Sequence, residues 1–438
     1  MIKSIKTFGE VESTTLEQMQ NCVEGVDGAD YAVLCADNHL GYSQPIGGAI
    51  AYKKHISVSG VGFDIGCGNK AVKLDIKADG LNMKEIMDKV WEQISFGVGR
   101  KNLEKVEHPV LEKIKNSPVE EQRKMYSLAC DQLGTVGSGN HYVDIFKDEE
   151  GWVWVGVHFG SRGFGHKTAS GFMSLAKGGK FDEAPKGEQM MDKPVIFDVD
   201  SELGQKYLQG MTLAGEYAYA GRDWVCQKVA SIIGGNVVEE VHNHHNFAWK
   251  EEHFGEDYWV VRKGSTPAFP GQISFIGGTM KDFAYIIEGI DSEESREALY
   301  STVHGAGRVM SRTQAAGKKK LVKSWQCGQR DCDGTLPSTT ARGEDGSNPK
   351  CPKCESKMHW YRGWEIKQPG LVDWPKWQAD MKELGIELRG GGADEAPEVY
   401  KRLDEVIESH KGTIKILHKL QPIGVAMAGI NEFDPYKD

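Results

Sequence analysis

The stretch Gly62-Phe63-Asp64-Ile65-Gly66-Cys67-Gly68 sets a carboxylate and a thiol three residues apart, between glycines. Directly behind it Val72, Leu74 and Ile76 alternate with Lys73 and Asp75, the period of a half-buried strand. Glycines let the backbone turn sharply and approach a ligand closely. Asp with Cys suits a divalent metal of borderline softness, and a thiolate can bridge two ions. Taken alone, the segment reads more plainly as a buried cysteine in a tight turn.

Outward from this turn the pattern mixes strands and helices. Leu81 to Ile94 has helical spacing (Ile86, Met87, Val90, Ile94), Trp152 to Phe159 alternates as a strand, and Pro194 to Val199 is a short apolar strand. Ser201 opens a long helical stretch that ends at Gly234-Gly235. Ser292 to Tyr300 reads as a helix, and so does Asp394 to His410, with Val399, Leu403, Val406 and Ile407 on one face. The chain has 438 residues, 39% hydrophobic and 26% charged, enough for a large core. Its 53 Lys+Arg against 63 Asp+Glu leave a net charge of −10, which argues against wholesale wrapping of nucleic acid but not against a local site. No stretch approaches the ~18 apolar residues of a membrane span, and MIKSIKTFGE shows no secretory signal. Nine cysteines then point to a reducing, cytoplasmic setting, with metal or catalytic roles rather than a disulfide framework.

Four further motifs place histidine beside glycine turns, where chemistry concentrates. In Gly137-Ser138-Gly139-Asn140-His141-Tyr142-Val143-Asp144, His141 can ligate a metal or move a proton, and Asn140 can bond a phosphate or carbonyl oxygen. His158-Phe159-Gly160-Ser161-Arg162-Gly163 closes a strand, with His158 either at a site or in the core. In His242-Asn243-His244-His245-Asn246-Phe247 an extended backbone puts His242 and His244 on one face and His245 on the other, so one ion would not take all three. His304-Gly305-Ala306-Gly307-Arg308 and the following Arg312 combine an open imidazole with guanidinium groups suited to phosphate. His304 is then a candidate nucleophile toward a nucleotide α-phosphate, or a spectator in a phosphate-binding loop. Together the five motifs point to a metal-dependent phosphate-transfer site.

Residues 315–377 differ in composition. They carry twelve Lys/Arg against seven Asp/Glu, a local +5 that leaves −15 on the rest, and five of the 11 tryptophans (Trp325, Trp360, Trp364, Trp374, Trp377). Cys327-x4-Cys332 and Cys351-x2-Cys354 form two close thiol pairs suited to a tetrahedral structural zinc; free thiols in a loop are the alternative. Residues 338–349 are polar and read as a flexible tip. Basic residues interleaved with tryptophan suit single-stranded RNA, unless the tryptophans are only the segment's own core.

In this order, the five motifs resemble the RtcB family of RNA ligases, over nearly the whole chain from Asp64 to Gly429 except the insertion. The resemblance implies an α+β fold: a single large catalytic domain over 1–314 and 378–438, with a small zinc ribbon inserted over 315–377. It implies ligation of RNA ending in a 3′-phosphate or 2′,3′-cyclic phosphate to RNA with a 5′-hydroxyl, using GTP as cosubstrate and two Mn²⁺ ions. The intermediates would be a guanylylated histidine and an RNA 3′-end carrying GMP through a diphosphate. By motif, Asp64, Cys67, His141, His158 and His245 correspond to the manganese ligands, with Cys67 bridging, and His304 to the guanylylated histidine. Asn140, His141, Tyr142, Val143, Asp144, His245, Asn246, Gly277, Gly278, Thr279, Met280 and residues 304–308 (His304, Gly305, Ala306, Gly307, Arg308) correspond to nucleotide contacts. RNA, GTP and an archease-type activator are the implied partners. The chain departs from the family pattern at Asp144 (typically Glu), at Thr279 in the Gly277-Gly278-Thr279-Met280 loop, and at Ala428 (usually Lys), with a nine-residue tail after Gly429. Two other readings of the motifs stay open: a dinuclear metal phosphoesterase with no covalent nucleotide step, and a zinc-ribbon RNA-binding protein with a degenerate site.

Overall fold

The computed structural model describes residues 2–183, 185, 190–329 and 332–429; the tail after Gly429 and the side chains of 319–321 and 362–366, Trp364 among them, lie outside the described set. Two sheets organise the body. One has five strands in the spatial order Ser4–Thr7, Ala29–His39, Ile46–Tyr52, Glu256–Lys263, Asn246–His253. The other runs Ile273–Ile276, Ala284–Gly289, Ile414–Gly429, Tyr142–Lys147, Trp152–Phe159, Gly68–Lys77, Val237–His244, with Glu387–Gly391 added in parallel to Ile414–Gly429.

Trp152–Phe159 is central and covered on both faces, and its period of two sorts its residues. Val153, Val155 and Val157 join one core, while Trp154 packs with Phe146 and Phe275 in another. That alternation leaves His158 on the face opposite Val157, at the strand's end. The long helix is Glu202–Ile233. The Ser201 hydroxyl accepts from the Gly204 N–H at its start, and Gly234 closes it in the left-handed region at φ 89°. Its first half (Tyr207, Met211, Ala214, Tyr217) feeds one core and its second half (Val225, Cys226, Val229) the core beneath the larger sheet. No helix among the described residues is long and apolar enough to cross a membrane.

Two expectations need correction. The helix expected over residues 394–410 is two short 3₁₀ turns, Ala393–Glu395 and Pro397–Val399, followed by the helix Leu403–Glu408. Pro397 forces Ala396 into extended backbone (ψ 150°), and Tyr400 and Arg402 are extended as well. The apolar face is nevertheless buried as the spacing requires, with Val399, Leu403, Val406 and Ile407 all in the core. The helix expected over 292–300 covers only Glu293–Glu297, because Leu299 and Tyr300 turn to positive φ. In the basic segment, the strands Lys318–Cys327, Thr335–Pro337 and Met358–Gln368 form a separate antiparallel sheet, closed at its base by the Lys318–Gln368 pair. Trp374 lies outside that sheet. It starts the helix Trp374–Glu383 and packs with Met280, Met381 and Met427 of the body.

Candidate active site

Ends of neighbouring strands bring the histidine motifs together. His158 faces Asn69 on one side and Tyr142 on the other in the ladder, and Gly68 faces His244. The turn before Gly68 is tied to the His245 turn by Gly66 N–H to Asn246 O (2.8 Å) and His245 N–H to Cys67 O (2.9 Å). As a result Cys67 Sγ stands 3.3 Å from His158 Nε2 and 3.7 Å from His141 Nε2, and His141 Nε2 is 3.0 Å from Asp64 Oδ2. The His245 ring lies 5.0 Å from that of His158.

This donor set fits a metal centre. Burial holds His158 and His245 well below the usual imidazole range, so both rings are neutral and keep a lone pair for a ligand. Burial alone would raise the Asp64 carboxyl, but the hydrogen bond and charge of His141 hold it well below the usual carboxylate range. Burial pushes the Cys67 thiol well up, and the neighbouring Asp64 charge adds to the effect; a cation among these groups would reverse it. Nδ1 of His141 and of His245 are buried without a protein partner.

The other two histidines of the triple run are structural. His242 and His244 both meet Arg222, a fully buried side chain of the long helix whose position drew no notice in the sequence. Its Nε donates to His242 Nε2 (2.9 Å), Nη2 lies 2.9 Å from His244 Nδ1, and Nη1 donates to the carbonyls of Gly66 (2.8 Å) and Phe159 (2.5 Å). One guanidinium thus braces the Asp64–Cys67 turn against the strand end that carries His158. Arg222→Leu leaves the Phe159 carbonyl without this donor and the Gly66 carbonyl with only His244 Nδ1 (3.0 Å), and is expected to cost about 3–5 kcal/mol. Urea unfolding checks this, and an unchanged midpoint would refute the bracing role.

His304 stands beyond His245, with ring centroids 4.8 Å apart. Its Nδ1 is 2.6 Å from Oδ2 of Asp37, which also accepts the backbone N–H of His304 (2.9 Å) and of Gly305 (3.3 Å). Sequence reading missed Asp37, although an acid ending the apolar run Tyr31-Ala32-Val33-Leu34-Cys35-Ala36 was a visible signal. Burial of Asp37 works to raise its carboxyl; the charge and hydrogen bonds of His304 outweigh that and keep it low. A carboxylate only accepts, so His304 Nδ1 carries the proton and Nε2 presents its lone pair. Gly307 makes the approach possible: it sits at φ 77°, and a Cβ there would be 2.2 Å from the Asp37 carbonyl oxygen.

His304 opens onto a cavity of about 550 Å³. Asn140, Tyr142, Asp144, His158, Asn246, Gly277, Gly278, Thr279, Met280 and residues 304–308 line it. His141 and His245 lie behind this lining, and Val143 points into the core with Val155. Asp144 is buried, burial pushes its carboxyl well up, and Oδ1 has no partner in the protein. Tyr142 Oη is likewise unpartnered, and Gly277 leaves room for it: a Cβ there would come within 2.0 Å. Ala428 packs against the core beside the helix Met83–Gln93, while Met427 lines the cavity. The two arginines read as phosphate ligands are engaged by carboxylates. Arg312 pairs with Asp394 (3.2 Å) and with Glu395, and Arg308 lies 3.5 Å from Glu395 and bonds Tyr400 Oη (3.0 Å). Both acids sit on the short turn Ala393–Glu395, and Glu395 lines the cavity. His39, a further cavity residue missed in the sequence, is pushed down to about 4, chiefly by burial.

In the basic segment the four sulfurs of Cys327, Cys332, Cys351 and Cys354 gather within 4.8 Å of one another, an arrangement that fits a bound metal ion.

Comparison with known proteins finds related chains. The family model described as "tRNA-splicing ligase RtcB" matches residues 18–331. The RNA-splicing ligase RtcB of Escherichia coli (strain K12) is 30% identical over 345 residues, covering 71% of this chain and 81% of the relative. The tRNA-splicing ligase RtcB of Archaeoglobus fulgidus is 28% identical, covering 97% and 93%, and that of Thermococcus kodakarensis 25%, covering 95% and 91%.

Proposed function

The chain belongs to the RtcB family of tRNA-splicing ligases, and from that premise we propose that this RNA ligase joins a 3′-phosphate or 2′,3′-cyclic phosphate RNA end to a 5′-hydroxyl end at the expense of GTP. The observation that carries the proposal is the His304–Asp37 pair, with His304 lining the cavity and its ring 4.8 Å from that of His245, next to the Cys67 cluster. Nε2 of His304 attacks the α-phosphorus of GTP; the P–N bond forms, the bond to pyrophosphate breaks, and pyrophosphate leaves. Asp37 stabilises the imidazolium that develops. An RNA 3′-phosphate oxygen then takes the GMP group from nitrogen, making a diphosphate, and His304 returns to its starting state. The 5′-hydroxyl oxygen attacks the RNA phosphorus, its proton is lost, and GMP departs. A cyclic end is first opened by water to the 3′-phosphate.

Asp64, Cys67 and His141 would hold one manganese ion, and Cys67, His158 and His245 the other; when bound, the ions supply positive charge against the phosphate oxygens. Guanosine fits the cavity's partnerless acceptors, with Asp144 able to take guanine N–H groups and Asn140 and residues 277–280 around the nucleotide. The four thiols of the basic segment suit a structural zinc ion. A phosphoesterase with no covalent nucleotide, or an RNA-binding protein with a degenerate site, is not favoured for a member of a family of ligases.

Incubation with α-labelled GTP and Mn²⁺ is expected to give an acid-labile label on the protein, released as GMP when RNA ends are supplied. His304→Ala is expected to reduce it to background. A label of equal size on His304→Ala would sink the proposed nucleophile.

A further inference from the structure

Resting on the ligase reading, we propose that the face of the inserted sheet around Trp360 is a docking surface for unpaired RNA adjoining the end being ligated. The inserted sheet's two described tryptophans divide the work. Trp325 is the small core: 3% exposed, packed with Cys351 and Met358, its indole N–H donated to the Thr340 carbonyl (3.1 Å). Trp360 sits directly across the ladder from it, edge to face with centroids 5.1 Å apart, yet is 45% exposed. The buried indole therefore holds the exposed one as a fixed platform, and a flat aromatic face fixed in this way stacks on any base.

Charge selects the partner. Lys323 precedes Trp325 by two positions, on the same face of the strand, and is exposed. Arg342 reaches over the Trp325 ring (5.6 Å) from the loop that also supplies Thr340. Both cations stand on a segment of +5 attached to a body of −15, which favours a polyanion over an acidic or neutral protein surface. The segment is tethered to the cavity rim, since its first strand follows the helix Arg312–Ala316, and Arg312 pairs with Asp394 and Glu395 there.

Fluorescence anisotropy with a labelled single-stranded RNA ending in a 3′-phosphate tests this on the full chain, without GTP. Trp360→Ala is expected to weaken binding about five- to a hundredfold, the range of one lost stacking contact. The double variant Lys323→Glu/Arg342→Glu is expected to weaken it too, and to flatten the dependence of log affinity on log salt by about 0.7 per lost contact. A blunt duplex, which offers no unpaired base, is expected to be insensitive to Trp360→Ala. Guanylylation of both variants at the wild-type level confirms their fold and reports on His304 separately. Given that labelling, wild-type affinity and salt slope in both variants overturn the docking surface, and an equal loss on duplex and single strand overturns stacking. Absence of labelling in the wild-type chain would instead strike at the ligase chemistry.

Discussion

Asp37→Asn is expected to lower both guanylylation of His304 and overall ligation by about 10²–10⁴-fold, with the chain still folded. The carboxylate does two things that an amide does not. It accepts only, and so fixes the proton on Nδ1 and the lone pair on Nε2; an amide offers N–H groups that bond Nδ1 and move the proton to Nε2, removing the nucleophile. It also carries the negative charge that stabilises the imidazolium formed on attack. Nδ1 and the backbone N–H groups of His304 and Gly305 all meet the same oxygen, Oδ2, so an amide that turns its NH2 there moves the proton and strands both backbone donors, while one that keeps its oxygen there holds the turn and loses only the charge. Single-turnover labelling with α-labelled GTP measures the effect. A variant that labels at the wild-type rate would show that the 2.6 Å contact orients nothing essential.

Cys67→Ala is expected to abolish ligation, by at least about 10²-fold, and to reduce the number of manganese ions held, as read by equilibrium binding monitored by electron paramagnetic resonance. Its sulfur is the atom lying between the His141 and His158 nitrogens, at 3.7 and 3.3 Å. Removing it takes away the donor that would serve both ions and leaves the His141 and His158 rings facing an empty space. Cys67→Ser keeps the size but offers a neutral hydroxyl in place of a thiolate, so little recovery is expected. Full activity and full metal binding in Cys67→Ala would overturn the bridging role.

The reach of the sequence is clearest in the histidines. Alternation in an extended run separates His245 from His242 and His244, and in the structure His245 faces His158 and His304 while the other two contact Arg222. The same period marks Trp152–Phe159, and the caps Ser201 and Gly234 bound the long helix, because these signals act within one element. Asp37 and Arg222 stayed invisible as site residues because their roles arise across the chain: Asp37 meets His304 267 positions away, and Arg222 bonds Gly66 156 positions away. Arg308 and Arg312 read as phosphate ligands because their motif does not reveal Asp394 and Glu395, which meet them from more than 80 positions away. The tryptophan-rich window looked uniform, yet Trp374 belongs to the body core and Trp325 to the inserted sheet, a division that composition does not report.

The inserted sheet enters and leaves through facing residues, Lys318 and Gln368, beside a register shift, and Cα atoms paired in such a ladder lie about 5 Å apart. The body therefore meets the segment as if it were a tight hairpin turn. Excising residues 319–367 and closing the gap with a two-residue turn would remove the thiols, Trp325 and Trp360 while keeping Trp374 in the body, where a wider cut would take it. A hairpin of unrelated sequence grafted there is expected to be carried on the same stem, directly after the helix Arg312–Ala316 at the cavity rim.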